Sequence, residues 1–138
     1  MEFYYTEIFM SDSLVIENEY GKITIAKSVI SQTAADVIKE TEGVALSGSR
    51  KRIAGRSGID VDFDSDGIPE IRAYVIVDLG TSISNATYSI INEIKNRVTM
   101  LLERSPSSIT VIVAGTRTSK TVIRRKIEVR REYDSTDR

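Results

Sequence analysis

Along the chain the apolar positions change period several times, and each change marks an element. Gly21-Lys22-Ile23-Thr24-Ile25-Ala26 alternates apolar and polar residues, the period-two signature of a short strand. In the next stretch Val29, Ile30, Thr33, Ala34, Val37, Ile38 and Thr41 fall on one stripe, which predicts an amphipathic helix over about 27–41. Gly43 stands where a glycine ends a helix, and Val44-Ala45-Leu46 restarts an apolar segment. Residues 47–58, rich in Gly, Ser and Arg, read as a loop.

Ile59, Val61 and Phe63 then alternate with Asp60, Asp62 and Asp64, a strand with one wet face. Ser65-Asp66-Gly67 supplies turn chemistry, and Ile71, Ala73, Val75, Val77 and Leu79 resume the period of two, so the two runs form a hairpin. Ser84 is the expected N-cap of a second helix, with Ile83 stapled onto Tyr88. Ile90, Ile91, Ile94, Val98, Leu101 and Leu102 form its apolar stripe, while Asn92, Glu93, Asn96 and Arg97 face water. Glu93 and Arg97 are spaced as an i,i+4 ion pair. Ser105-Pro106 ends the helix, and Ile109, Val111 and Val113 form a last core strand that stops at Gly115.

The predicted fold class is therefore α+β, a two-layer sandwich of order β-α-β-β-β-α-β with both helices on one face of a small sheet. Val37, Ile38, Val75, Val77, Ile94, Val98 and Val111 are the expected core. Residues 18–116 form the domain, flanked by an N-terminal extension, 1–17, and a basic C-terminal extension, 117–138.

Composition narrows the chemistry. A chain of 138 residues suits one domain and buries enough surface to need no staple. It contains neither cysteine nor histidine, so thiolate chemistry, the commonest general base near neutral pH and the commonest zinc ligand are all missing. The expectation is a protein that is not an enzyme and carries no cofactor. Apolar runs fall short of the ~20 residues a spanning helix needs. The N-terminus, Met1 to Met10, is aromatic and acidic rather than a basic leader, which places the chain in the cytoplasm.

The net charge is only −1, but its distribution is uneven. Asp60, Asp62, Asp64, Asp66 and Glu70 cluster, as do Arg50, Lys51, Arg52 and Arg56, and bases gather again from Arg117 to Arg131. Asp62-Phe63-Asp64-Ser65-Asp66-Gly67 matches the opening of a calcium loop, yet Ala73 stands where that loop needs its closing bidentate Glu. A hairpin turn is the better reading, and an acid/base carboxylate pair lacks a cleft to raise either pKa. Ile53-Ala54-Gly55-Arg56-Ser57-Gly58-Ile59 is similar to the GxxG loop of KH domains, but strand-like residues follow it where that fold has a helix. The C-terminal run Arg117, Lys120, Arg124, Arg125, Lys126, Arg130 and Arg131 is interleaved with Val122, Ile123, Ile127 and Val129, as an added strand or a short amphipathic helix would be. Arg50, Lys51, Arg52, Arg56, Arg124, Arg125, Lys126, Arg130 and Arg131 are the candidate partner-binding residues, suited to an acidic protein, an anionic membrane surface or nucleic acid.

Gly21–Ala26, the helix through Val29, Ile30 and Ala34, and Glu42-Gly43-Val44 together resemble the opening of the alkaline-shock-protein family. Ile71–Gly80, the Ile90–Leu102 helix and Ile109–Gly115 fit its later parts, so the resemblance covers about 21–115. It implies a non-enzymatic bacterial stress-response domain tied to cell-envelope homeostasis, in some members through a membrane-anchored partner at the inner face of the membrane. The function expected on this basis is an adaptor or scaffold working by protein–protein contact, with self-association open. The alternative is a KH-like nucleic-acid-binding module using the basic loop and C-terminal stretch.

Overall fold

The computed structural model describes residues 4–5, 13–47, 58–118, 122–123 and 127–133, with backbone placement alone at 4–5, 13–14, 16, 18 and 122–123. The chain opens with strands β1 (Tyr4–Tyr5), β2 (Ser13–Asn18) and β3 (Gly21–Ala26), followed by helix α1 (Lys27–Glu40). Strands β4 (Val44–Leu46), β5 (Ile59–Phe63) and β6 (Pro69–Asp78) precede helix α2 (Ile83–Leu102). Strands β7 (Ser108–Arg117), β8 (Val122–Ile123) and β9 (Ile127–Glu132) end it. This is the expected α+β architecture.

Two sheets share the work. β1, β2 and β3 form a three-stranded antiparallel sheet, with Ile16 opposite Ile23 and Leu14 opposite Ile25. The expected N-terminal extension thus contributes two strands that pair toward β3. The main sheet is built on β6 and β7, which run parallel with Ile71 beside Ile109 and Val75 beside Val113. Parallel neighbours need a crossover, and α2 supplies it. Its 20 residues span about 30 Å, close to the length of a ten-residue strand, so the helix returns the chain to the start of β7.

Each central strand has its outer edge covered by two short strands placed end to end. On β6 these are β4, opposite Val75–Val77, and β5, opposite Pro69–Ala73. On β7 they are β8, opposite Thr116 and Arg117, and β9, opposite Ser108–Val113. The register between β6 and β7 slips after Val75, where Ile76 lies beside Gly115 and Ala114 is left over as a bulge.

Odd-numbered residues of β6, and of β7 as far as Val113, face the helices. Ile71, Val75, Ile109, Val111 and Val113 meet Ile30, Val37, Ile38, Ile90, Ile94 and Val98 in one core, each at most 2 % exposed. All seven core residues expected from periodicity are buried. Some apolar positions depart from that reading: Val29, Leu79 and Leu101 lie on the predicted stripes but are exposed. Val29 in the first turn of α1 and Leu101 in the last turn of α2 flank the fully buried Ile30 and Leu102, at the rim of each stripe, and Leu79 lies just beyond β6.

The α2 start also differs from the expectation. Ser82, not Ser84, is the N-cap, its extended backbone placing Oγ 3.2 Å from the Asn85 N–H. Ile83 is then the first helical residue, so a staple from it to Tyr88 does not form, and Tyr88 is 57 % exposed. At the other end Glu103 takes the left-handed conformation that closes the helix, ahead of the Ser105-Pro106 break.

Candidate functional site

Helix α1 ends against the flank of α2, and the two enclose an open groove of about 650 Å³. Val37, Glu40 and Glu42 line one wall; Tyr88, Asn92 and Arg97 line the other. A single guanidinium fixes its geometry. Arg97 donates from Nε to Glu93 Oε2 at 3.0 Å, from Nη1 to Glu40 Oε2 at 3.2 Å and from Nη2 to Glu40 Oε1 at 2.7 Å. The Glu93 contact is the ion pair that spacing predicts; the two-pronged contact to Glu40 joins the helices.

The electrostatics follow from this clamp. The hydrogen bonds from Arg97, and then its charge, hold the Glu40 carboxyl below its usual pKa. Hydrogen bonds to Glu40 and Glu93 raise the Arg97 guanidinium in turn. Three carboxylates, Glu40, Glu42 and Glu93, line the groove against one guanidinium, so its wall is net acidic. Tyr88 adds an exposed ring at helical spacing from Asn92, a surface that suits a cation.

The opposite face of the sheet is also polar. Pairing registers put Asp60, Arg72, Thr110 and Arg130 side by side on four adjacent strands. They border a shallow cradle of about 250 Å³ that also includes Asp62 and Glu70. A hydrogen bond with Tyr74, aided by the charges of Glu128 and Asp60, holds the Arg72 pKa above its usual value. Lys27, at the start of α1, lies 3.7 Å from Asp62 and 5.6 Å from the Phe63 ring centroid. Asp60 and Asp62 of the acidic cluster are thus each met by a local cation.

The turn that resembles a calcium loop is occupied by its own backbone. Asp64 Oδ1 accepts from the N–H groups of Asp66 and Ile68, both at 2.9 Å. Among the described residues no group of His, Cys, Asp or Glu is arranged to hold a metal ion.

Of the candidate basic residues, Arg50, Lys51, Arg52, Arg56, Arg124, Arg125 and Lys126 lie outside the described residues. Arg130 and Arg131 lie on β9, which settles the C-terminal stretch from 127 as a strand. As neighbours on a strand they point to opposite faces. Arg130 borders the cradle and pairs with Glu132 at 2.9 Å. Arg131 turns to the helix side, 5.3 Å from the Tyr133 ring centroid, with Lys95 of α2 over the same ring at 4.7 Å. In the loop similar to GxxG, Gly58 and Ile59 are described, and Ile59 opens β5. The residues after that loop are therefore strand, as their alternation predicts.

A family profile, the alkaline shock protein 23 family with cell envelope-related function, matches residues 15–118. The chain belongs to this family. The match begins within β2 and ends just past β7, so it takes in the β2–β3 hairpin, both helices and the central strands of the main sheet. The groove between α1 and α2 thus lies wholly within the family domain, whereas β9 lies beyond the match. No curated protein and no solved structure matches the chain. Among the described residues no helix is long and apolar enough to cross a membrane.

Proposed function

We infer that this chain is a non-catalytic adaptor of cell-envelope homeostasis, working at the inner face of the membrane by docking a partner protein. The observation that carries this reading is the groove between α1 and α2, bridged by the contact of Arg97 with Glu40, net acidic and flanked by the exposed ring of Tyr88. Its occupant is a basic segment of that partner, because acidic walls and an exposed ring both attract a cationic side chain. The envelope role of the family supports the location, and a membrane-anchored protein with a basic juxtamembrane segment fits both. The basic stretches around Arg50–Arg56 and Arg124–Arg131 add a second contact, drawing the domain to an anionic surface at about 1 kcal/mol per residue. Chemistry of its own is not part of this role: without His or Cys the groove offers carboxylates, one arginine and one tyrosine.

A photo-crosslinking residue placed at Tyr88, in the full chain expressed in its native cells, tests the reading. A crosslink to one membrane-fraction protein is expected, lost on Glu42→Lys and absent when the probe is moved to Glu103. Equal crosslinking from both positions would refute the groove as the docking site.

A further inference from the structure

Strand β9 is an edge, and its pattern of charge and backbone polarity is self-complementary. It pairs with β7 in antiparallel register from Ser108↔Glu132 to Val113↔Ile127, and among the described residues no strand lies along its other side. The orientation of its backbone groups follows from one bond: the Tyr133 N–H donates to the Ser107 carbonyl at 3.3 Å. In an antiparallel ladder hydrogen-bonded pairs alternate with non-bonded ones, so Ile127, Val129 and Arg131 also turn their backbone groups toward β7. Glu128, Arg130 and Glu132 turn theirs outward. These same three carry exposed, charged side chains.

We propose that two copies of this chain join edge to edge through β9, antiparallel about a two-fold axis at Val129, to form one continuous sheet. Such an axis, perpendicular to the sheet, keeps the helices of both copies on one side and pairs residues that share a face. Only a few registers satisfy this, and charge separates them. Centred on Val129, each Glu128 faces Arg130 of the other copy, and these are the residues whose free N–H and C=O groups meet. Val129 faces itself, and Ile127, 41 % exposed, lies under the aliphatic stem of Arg131. Centred on Arg130, that residue would face itself and Glu128 would face Glu132. Centred on Glu128, the carboxylate would face itself. Centred on Arg131, Arg130 would face Glu132, but Arg131 would face itself on the helix side. Opposite charges directly across strands stabilise and like charges destabilise, so of these registers only the one centred on Val129 joins opposite charges without opposing like ones.

Edge strands are often protected by charges that repel any newcomer. The order Glu128, Arg130, Glu132 on the cradle side does the reverse for a second copy in this register. In the single chain Arg130 leans on Glu132 at 2.9 Å, an exposed contact that is easily exchanged for Glu128 across the interface. The proposal is independent of the groove between α1 and α2, which lies on the helical layer and stays open in the pair.

Charge reversal tests the register directly, using sedimentation velocity of the full chain over a concentration series. The wild type should form a reversible dimer. Glu128→Arg and Arg130→Glu should each weaken it by roughly tenfold or more, since symmetry doubles each like-charge contact. Mixing the two variants should restore a heterodimer, because both cross-strand contacts then join opposite charges. The two substituted positions face each other at one, and the unaltered Arg130 and Glu128 meet at the other. Thermal melting of each variant checks that the monomer stays folded. A wild type monomeric at every concentration would overturn the proposal. So would a dimer indifferent to either reversal, a mixture that fails to associate, or tighter association by Glu128→Arg, which would place Glu132 opposite position 128.

Discussion

Arg97 and Glu40, 57 residues apart in the chain, meet through both terminal nitrogens of the guanidinium, the shorter contact being 2.7 Å. This contact fixes the end of α1 against α2 and so shapes the groove. Because it depresses the Glu40 pKa, its contribution to stability is present above the carboxyl's unfolded value of about 4.3 and is lost as pH falls through the folded value. Arg97→Gln should return the Glu40 titration, followed by carboxyl NMR, toward its ordinary range. It should also flatten the dependence of melting temperature on pH below about 4.3. An unmoved Glu40 titration would show that the contact does not persist in solution.

The core prediction rests on Ile94 and Val98, both fully buried between α2 and the sheet. Ile94→Ala should cost about 2–5 kcal/mol in a denaturant melt, from lost burial and the cavity left behind. Val98→Asp puts a carboxylate where no partner exists in the apolar cluster, and should leave the chain unfolded or insoluble.

Millimolar calcium should leave the melting temperature unchanged. Asp64 Oδ1 already accepts two backbone N–H groups at 2.9 Å, which turns the carboxylate to closing the β5–β6 turn, and among the described residues no group of carboxylates is arranged with it to hold a metal ion. Asp64→Ala should instead destabilise the chain by about 1–3 kcal/mol, the loss of hydrogen bonds to a charged acceptor. A calcium-dependent rise in melting temperature that Asp64→Asn abolishes would reverse this assignment.

Gly58, immediately before β5, has φ of +75°, and a Cβ there would lie 2.7 Å from the Ser47 carbonyl oxygen and 3.1 Å from that of Tyr74. These are backbone atoms held in the sheet: the Ser47 N–H donates to Tyr74 O, and the Tyr74 N–H donates to Gly58 O, both at 2.8 Å. Gly58→Ala should therefore cost more than the ~1–2 kcal/mol of left-handed strain alone, measurable by denaturant melting.

Much of the fold is legible in the periodicities. Ile59–Phe63 and Ile71–Val75 alternate because one face of each meets the helices, and the stripes of α1 and α2 repeat because each helix packs on one side. The signal weakens where burial changes. β7 is buried on both faces, with Ser108, Thr110 and Ile112 as inaccessible as Ile109, Val111 and Val113, so the exposure of its alternate positions is not encoded by polarity. Val29 and Leu101 sit at the rim of their stripes beside the buried Ile30 and Leu102, and Leu79 lies just past the end of β6, so their apolarity overstates their burial. Leu14-Val15-Ile16 is a short apolar run whose strand character depends on β3 pairing with it.

The sequence by itself determines which side of each helix and strand is apolar, because that depends only on spacing along one chain. It also settles the absence of thiol and imidazole chemistry, and the location of the turns at Gly43 and Asp66-Gly67. Only the tertiary structure decides which elements become neighbours: the parallel pairing of β6 with β7, the placement of β9 at the open edge, and the reach of Arg97 to Glu40. The physical reason is that periodic burial is a one-dimensional pattern, whereas strand partners and ion pairs depend on how distant segments are brought together. Arg130 and Arg131 show the difference. In the chain they are adjacent like charges, and on β9 they serve opposite faces of the sheet.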